Sequence, residues 1–355
     1  MEKSPKLSIV MPFFNQKELV AEMIDSILAN DYQDWELLAV DDGSTAETIE
    51  YLSHYSNEDS RIHFIPRNRE PKGAPTCRNI GMEMARGEYL IFFDSDDYIT
   101  PYCLTNRVVQ FDTHAMLDFM IFPSGEYNER GFCKENAKYS FGYPLFRNDL
   151  KALIRRTLPF VVVNNIYRTA SIRAKHLLWD THLLSYQDSD FNIQALLKGL
   201  QYDYSLSEPD YGYRIAGNTN SISKNITSEK HRISHLFFLD KQYQEVQSVY
   251  GKKYNKALYQ CALYIYHESM PGGIDAAYAS SIAEIVGKHD NWRGRLLKLK
   301  VKTSLLLSKV IPQKLARQLP MPIFLLRRRW LIKAIPRRIS KCQRQIDLSQ
   351  IMNSI

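Results

Sequence analysis

A short, mainly apolar run from Leu7 to Phe14 is rich in β-formers and has the length of a buried parallel strand. After it, Leu19, Val20, Met23, Ile24, Ile27 and Leu28 recur at helical spacing with acidic residues between them, which predicts an amphipathic helix. A second strand, Trp35 to Val40, stops abruptly at Asp41-Asp42-Gly43-Ser44. A helix from about Ala46 to Tyr55 and a short strand over Ile62 to Ile65 follow. Pro66 to Pro75 is a polar loop. Beyond it Ile80, Met84 and Ala85 predict a short helix closed by Gly87. Tyr89 to Phe93 is a fourth strand, and it too runs into acid: Asp94-Ser95-Asp96-Asp97.

Strands alternating with helices predict an α/β fold, a Rossmann-like and mostly parallel sheet flanked by helices. In such sheets ligands bind at the carboxyl ends of the strands, where both acidic clusters fall. The middle of the chain is mixed. Asp149 to Arg156 reads as helix, Val161 to Tyr167 as extended and Ser189 to Gly199 as helix. From about Ser228 the pattern turns helical, with Ile233, Leu236, Phe237, Val246 and Val249 as candidate core positions.

Charge divides the chain. Between Trp292 and Ile346 stand 16 Lys and Arg residues and no Asp or Glu. Setting those 16 aside leaves 30 basic against 39 acidic residues, a net of −9 for the rest. An acidic body with a basic tail points to an anionic partner for the tail, phospholipid headgroups ahead of nucleic acid. Leu296, Leu299, Leu306 and Val310 share one helical face near Lys298, Lys302 and Lys309, and Ile323 to Ile335 is apolar but interrupted by Arg327, Arg328 and Arg329. That mixture suits an interfacial helix on anionic lipid.

Composition is that of a globular protein, with 45% apolar and 24% charged residues. The five cysteines are scattered without the short spacing of a zinc or redox site, which suits a reducing compartment. The first residues carry charge and run straight into a strand pattern, unlike a signal peptide. No window reaches the roughly 18 apolar residues that a membrane-spanning helix needs.

Three carboxylates within four residues, Asp94, Asp96 and Asp97, repel one another unless a cation sits among them. Mg²⁺ or Mn²⁺ fits best, because these ions prefer oxygen ligands and share their coordination with substrate phosphates. A nucleotide diphosphate leaving group would supply such oxygens. An arbitrary D-x-D is most often a solvated turn. Here a buried strand leads directly into the acids.

The ordered set Ser8-Ile9-Val10-Met11-Pro12-Phe13-Phe14-Asn15, Val40-Asp41-Asp42-Gly43-Ser44-Thr45, Arg78-Asn79-Ile80-Gly81, Gly87-Glu88-Tyr89-Leu90 and Phe93-Asp94-Ser95-Asp96-Asp97 resembles a family 2 glycosyltransferase of the GT-A fold. The resemblance covers about residues 5 to 225. It implies that Pro12 and Phe14 line the donor nucleotide pocket and that Asp42 accepts a hydrogen bond from the base, commonly uracil. It places Arg78 at a donor contact, Asp94 near ribose and metal, and Asp96 on the metal with Asp97 in support. Asp41 is either a turn carboxylate or a direct ligand.

Attack at an anomeric carbon needs a base to take the acceptor proton. In the family this is the Asp of a Glu-Asp pair before a helix; here Tyr186-Gln187-Asp188-Ser189-Asp190-Phe191 puts Asp188 in that place and Gln187 where Glu is usual. Asp190 is the rival, and a capping role for Asp188 is the plain alternative. Tyr211-Gly212-Tyr213-Arg214 and Ser221-Ile222-Ser223 form a further matching stretch, in which Arg214 either pairs with the donor diphosphate or makes a surface salt bridge. His231, His235 and His267 form no coherent metal-ligand set.

The resemblance therefore implies an inverting, hexosyltransferase-type enzyme. It would use a UDP-sugar and a divalent cation to extend a glycan or lipid-linked acceptor in capsule, exopolysaccharide or lipopolysaccharide synthesis. The expected organisation is a GT-A domain over 1–225, a helical extension over 226–291 and a basic membrane-associating tail over 292–355. The expected place is the inner face of a bacterial inner membrane, with no nucleic-acid partner. The competing reading is a non-catalytic nucleotide-sugar-binding protein of the same fold.

Overall fold

The computed structural model describes residues 4–128, 131–133, 141–214, 227–270, 273–316 and 338–342. Ser221-Ile222-Ser223 and the tail stretch with Arg327, Arg328 and Arg329 lie outside the described residues. β1 (Leu7–Phe13) and β2 (Trp35–Asp41) are buried at every position, which is why both read as apolar runs rather than alternations. With β3 (Ile62–Pro66), β4 (Tyr89–Phe92), β6 (Phe119–Ile121), β9 (Asn165–Arg168) and β10 (Tyr202–Tyr204) they form a seven-stranded sheet in the order β10-β6-β9-β4-β1-β2-β3. Only β9 runs antiparallel to its neighbours.

The flanking helices are α1 (Lys17–Leu28), α2 (Ala46–Glu58), α3 (Ala74–Met84), α4 (Cys103–Asp112), α5 (Asp149–Ile154), α6 (Thr169–Ala174) and α7 (Gln187–Leu197). α3 ends before Gly87, which serves not as a left-handed helix cap but as a point of close approach. A Cβ there would stand 2.5 Å from the Ser8 backbone nitrogen. The Gly87 N–H donates to Ser8 Oγ at 2.8 Å, and Ser8 in turn donates to the buried Glu36 at 2.6 Å. Glu36 also accepts from the Arg86 backbone at 2.8 Å and pairs with its guanidinium at 2.9 Å. A buried carboxylate in the sheet thus has every oxygen partnered, as burial requires.

A second sheet has the order β5-β11-β7-β8, built from β5 (Tyr98–Ile99), β7 (Ser124–Asn128), β8 (Gly131–Cys133) and β11 (Tyr211–Arg214). β11 lies antiparallel to β5 and parallel to β7, which carries Tyr211 back beside the turn that follows β4. Arg107 and Asp210 lock it there. Both are fully buried, with Arg107 Nη2 2.7 Å from Asp210 Oδ1 and Nη1 donating to the Val163 carbonyl at 2.8 Å.

Among the described residues α8 (Glu229–Tyr250), α9 (Asn255–Glu268), α10 (Ala276–His289), α11 (Asn291–Leu307) and the short α12 (Gln313–Ala316) follow. On α8 the predicted core face is displaced. Val246 is buried, but Ile233, Phe237 and Val249 are 61%, 41% and 51% exposed. The buried face carries His235, Phe238, Leu239, Gln242 and Tyr243 instead. Its polar members have partners: His235 Nδ1 lies 2.9 Å from Ser269 Oγ, and Gln242 donates to Asp190 at 2.9 Å. Among the described residues no helix is long and apolar enough to cross a membrane.

Candidate active site

Two loops close over the carboxyl ends of β1 and β2. The Asn15 N–H donates to Ser44 Oγ at 2.8 Å, and the Thr45 N–H donates back to Asn15 Oδ1 at 3.0 Å. Asn15 and Gln16 hold left-handed backbone conformations, φ 53° and 57°, to turn the chain there. Pro12 is buried in β1, whereas Phe14 is 46% exposed and carries Lys72 Nζ 3.6 Å from its ring centre. Asp41 accepts the Ser44 N–H at 2.9 Å, as a turn carboxylate does. Asp42 is buried just beyond β2; it accepts the Gly73 N–H at 2.9 Å and pairs with Arg67 at 2.9 Å. Its carboxylate therefore sits at the start of α3, where the helix dipole favours negative charge.

Arg78 is the hub of the next layer. It projects from α3, is 5% exposed, and lays its guanidinium over the Trp179 ring at 4.4 Å. Its Nη2 donates to Asp94 Oδ1 at 2.7 Å and its Nη1 donates to Gln187 Oε1 at 3.3 Å. The same Nη1 lies 4.0 Å from Asp188 Oδ1. One cation thus spans the acidic turn after β4 and the first turn of α7.

The two candidate bases separate. Asp190 is 1% exposed and turned into α8; Lys241 holds one oxygen at 2.7 Å and Gln242 the other at 2.9 Å. Asp188 keeps about a third of its side chain open to solvent beside Arg78. Burial pushes the Asp188 carboxyl up to about 6; Asp94's charge adds to the rise, while Arg78 and Arg156 oppose it. A cap role does not fit Asp188, because α7 begins at Gln187 after a left-handed Tyr186 with φ 64°.

The acidic turn shares its work among three carboxylates. Asp97 is buried and accepts from Tyr211 Oη at 2.6 Å and the Arg214 N–H at 2.8 Å. Burial, with Asp96 and Asp94 adding to it, holds the Asp97 carboxyl well above the usual range. Arg214 braces this turn from behind: its Nε donates to the Asp96 carbonyl at 2.7 Å and its Nη2 pairs with Glu22 at 2.5 Å. The salt bridge read from the sequence for Arg214 is thus formed with Glu22.

Asp94 and Asp96, half-exposed on one turn, suit a hard divalent cation. Their donor set is all oxygen, and a cation there would relieve the crowding that burdens Asp97. Among the described residues no group of three or more His, Cys, Asp or Glu side chains could cage an ion unaided. Such a cation would accordingly complete its coordination with phosphate oxygens and water.

Three contributors escaped sequence reasoning. Trp179 supports Arg78 and stacks on Phe191 of α7 at 4.3 Å, and its backbone is tied to Asn79 by two 2.9 Å hydrogen bonds. Tyr211 lay in a matching stretch but gave no sign of its bond to Asp97. Arg156 lies over the Tyr186 ring at 4.0 Å and bonds Ser189, both neighbours of Asp188. None has a local signal, because each acts across distant parts of the chain.

A glycosyl transferase family 2 profile matches residues 8–177. A putative colanic acid biosynthesis glycosyl transferase, WcaA of Escherichia coli, is 30% identical, over 56% of this chain and 68% of its own. The poly(ribitol-phosphate) beta-glucosyltransferase of Bacillus spizizenii is 27% identical over 59% of this chain but 32% of its own length. The chain spans about a third of that relative and of others like it. Residues 1–349 of Staphylococcus aureus TarS, crystallised with UDP-GlcNAc, superpose with a TM-score of 0.65 at 18% identity, covering 89% of this chain and 90% of that one. That likeness bears on the fold: a GT-A arrangement with a helical C-terminal region.

Proposed function

The chain belongs to glycosyl transferase family 2, and from that premise we propose that it is an inverting, hexosyltransferase-type enzyme that moves a sugar from a UDP-sugar to a hydroxyl of a bacterial surface glycan. The observation that carries the proposal is the Arg78 bridge, which joins the donor-side acid Asp94 to the first turn of α7 with Asp188. UDP and UDP-GlcNAc occur in complexes of TarS, and GDP-Man with Mn²⁺ occurs in a mannosyltransferase of Pyrobaculum calidifontis with a TM-score of 0.50. Both support a nucleotide-sugar donor here.

The nucleotide base would lie against Pro12 and Phe14 near Asp42, whose carboxylate is held still by Gly73 and Arg67. Asp94 and Asp96 would hold the cation, Mn²⁺ or Mg²⁺; when bound it neutralises the charge of the departing diphosphate. Asp188 then takes the proton of the acceptor hydroxyl as that oxygen attacks the anomeric carbon. Arg78 holds Asp94 and α7 in mutual register, so a proton acceptor stands across from the leaving group. Tyr211 and Arg214 keep the acidic turn in place, and Arg214 would stand beside it for the donor diphosphate.

Gln187 does not break this arrangement, since its oxygen accepts from Arg78 and its nitrogen donates to the Leu183 carbonyl at 2.9 Å. That supports turnover over a binding-only role. The domain proposal is a GT-A body through 225, the helices through 291 and a basic tail beyond, resting on the inner face of the bacterial membrane. The acceptor proposed is a glycan or lipid-linked saccharide, as in capsule or lipopolysaccharide synthesis. A thermal-shift panel of nucleotide sugars with and without Mn²⁺ tests the donor half. Failure of every UDP-sugar to raise the melting temperature would remove it.

A further inference from the structure

α11 carries two apolar stripes, and among the described residues only one of them is packed. Gly294, Leu297, Val301 and Ser304 are buried against α10. The contact is backbone to backbone, for a Cβ on Gly294 would stand 2.2 Å from the Gly287 Cα. α10 in turn packs on α8, and α8 on α7. α11 is therefore seated on the helices that back the candidate base.

The other stripe faces solvent. Trp292, Leu299 and Leu306 are seven residues apart, nearly eclipsed on an α-helix, and are 67%, 63% and 57% exposed. Trp292, Arg295, Leu296 and Leu299, with Asn291, line a shallow hollow at its head. Arg295, Lys298 and Lys302 are exposed along one flank of the stripe, and Lys309 continues the line beyond the helix. No carboxylate occurs from Trp292 to Ile346, so nothing in this segment's own sequence answers that charge.

We propose that this face of α11 is the surface that docks on an anionic lipid bilayer, with Trp292, Leu299 and Leu306 entering the headgroup boundary and Arg295, Lys298 and Lys302 meeting lipid phosphates. It rests on the membrane placement proposed above and gives it a definite face. An aromatic and leucine ridge edged by cations matches the layered chemistry of that boundary, apolar below and negative above. A protein partner would need carboxylates at matching positions. A bilayer offers charge everywhere along the stripe. Because Gly287 and Gly294 fix α11 on α10, docking through this face also fixes the attitude of the catalytic cleft to the membrane.

The test uses the full chain in flotation with vesicles of phosphatidylcholine alone or mixed equally with phosphatidylglycerol. The intact protein should float with the anionic vesicles, and added salt should release it. Trp292→Glu with Leu299→Glu, and separately Arg295→Glu with Lys302→Glu, should each lower the floated fraction about tenfold or more. Both pairs are exposed, so melting temperature and UDP release from a UDP-sugar should stay unchanged, which separates this surface from the catalytic reading. Flotation of the Trp292/Leu299 variant as complete as that of the intact chain would overturn the face while leaving membrane placement standing. Absence of flotation by the intact chain would overturn both. A dimer that the Trp292/Leu299 variant converts to monomer, without lipid binding, would assign the face to a second copy of the chain instead.

Discussion

The Arg78 guanidinium donates to the Gln187 side-chain oxygen at 3.3 Å, joining α3 to the first turn of α7. The Gln187 nitrogen faces the other way, to the Leu183 carbonyl at 2.9 Å. An acceptor on one side and a donor on the other define the orientation of the amide, so a carboxylate is not equivalent here. In Gln187→Glu one oxygen would oppose the Leu183 carbonyl, and a second negative charge would sit beside Asp188. That charge should raise the Asp188 carboxyl further and move the rising limb of the rate–pH profile upward by ~1 unit. Initial rates across pH check it; an unmoved limb would count against the geometry.

Arg78→Lys keeps a charge but loses the planar fork that reaches Asp94 and Gln187 together. Losing charge-assisted hydrogen bonds of this kind costs about 1.5–3 kcal/mol. The variant should therefore lose roughly 10- to 100-fold in kcat/KM. Steady-state kinetics with varied donor would measure this, and a change under twofold would contradict the hub role.

How much of this was legible in the sequence follows from where the signals are local. Asp41, Asp42, Asp94, Asp96 and Asp97 stood out because each group directly follows a strand buried at nearly every position. Asp188 was found through resemblance, and what separates it from Asp190 is tertiary: Lys241 and Gln242 of α8 hold Asp190. The second sheet was not legible: β5, β8 and β11 have two to four residues each, and β11 pairs with β5 and β7 across about a hundred positions. Periodicity is silent about such partners. α8 was turned the wrong way because His235 and Gln242, polar by type, are buried with partners. Hydrophobic spacing alone then favoured the exposed Ile233 and Phe237.

Asp210→Asn tests the anchor beneath β11. It leaves Arg107 charged, fully buried and deprived of its ion pair. Breaking one side of a buried pair costs about 3–5 kcal/mol. Urea unfolding followed by circular dichroism should show a midpoint lowered accordingly. A stability within 1 kcal/mol of the parent, a margin set by the order of that estimate, would be inconsistent with the pair's role.

The Glu245 carboxyl is pushed up to about 7, chiefly by burial, with Lys241 opposing and Asp190 adding. A carboxyl whose folded-state pKa lies above its unfolded value favours folding in its protonated form. Its contribution is complete below the unfolded value of about 4.3 and is lost as pH rises through about 7. Glu245→Gln mimics the protonated form and should raise the melting temperature at about pH 8 more than at about pH 5. Thermal melts at the two pH values decide it; an equal or reversed effect would refute the assignment.

The central claim, that Asp188 takes the acceptor proton, is tested most directly by transfer kinetics of Asp188→Asn beside the intact enzyme, with donor binding followed by thermal shift in both. The intact enzyme should show a rate that rises through about pH 6, in line with the elevated Asp188 carboxyl. Asp188→Asn should still be stabilised by the donor but transfer sugar roughly 10²- to 10⁴-fold more slowly, the usual worth of a positioned base. Transfer by Asp188→Asn at the intact rate, with the same rise through pH 6, would contradict it.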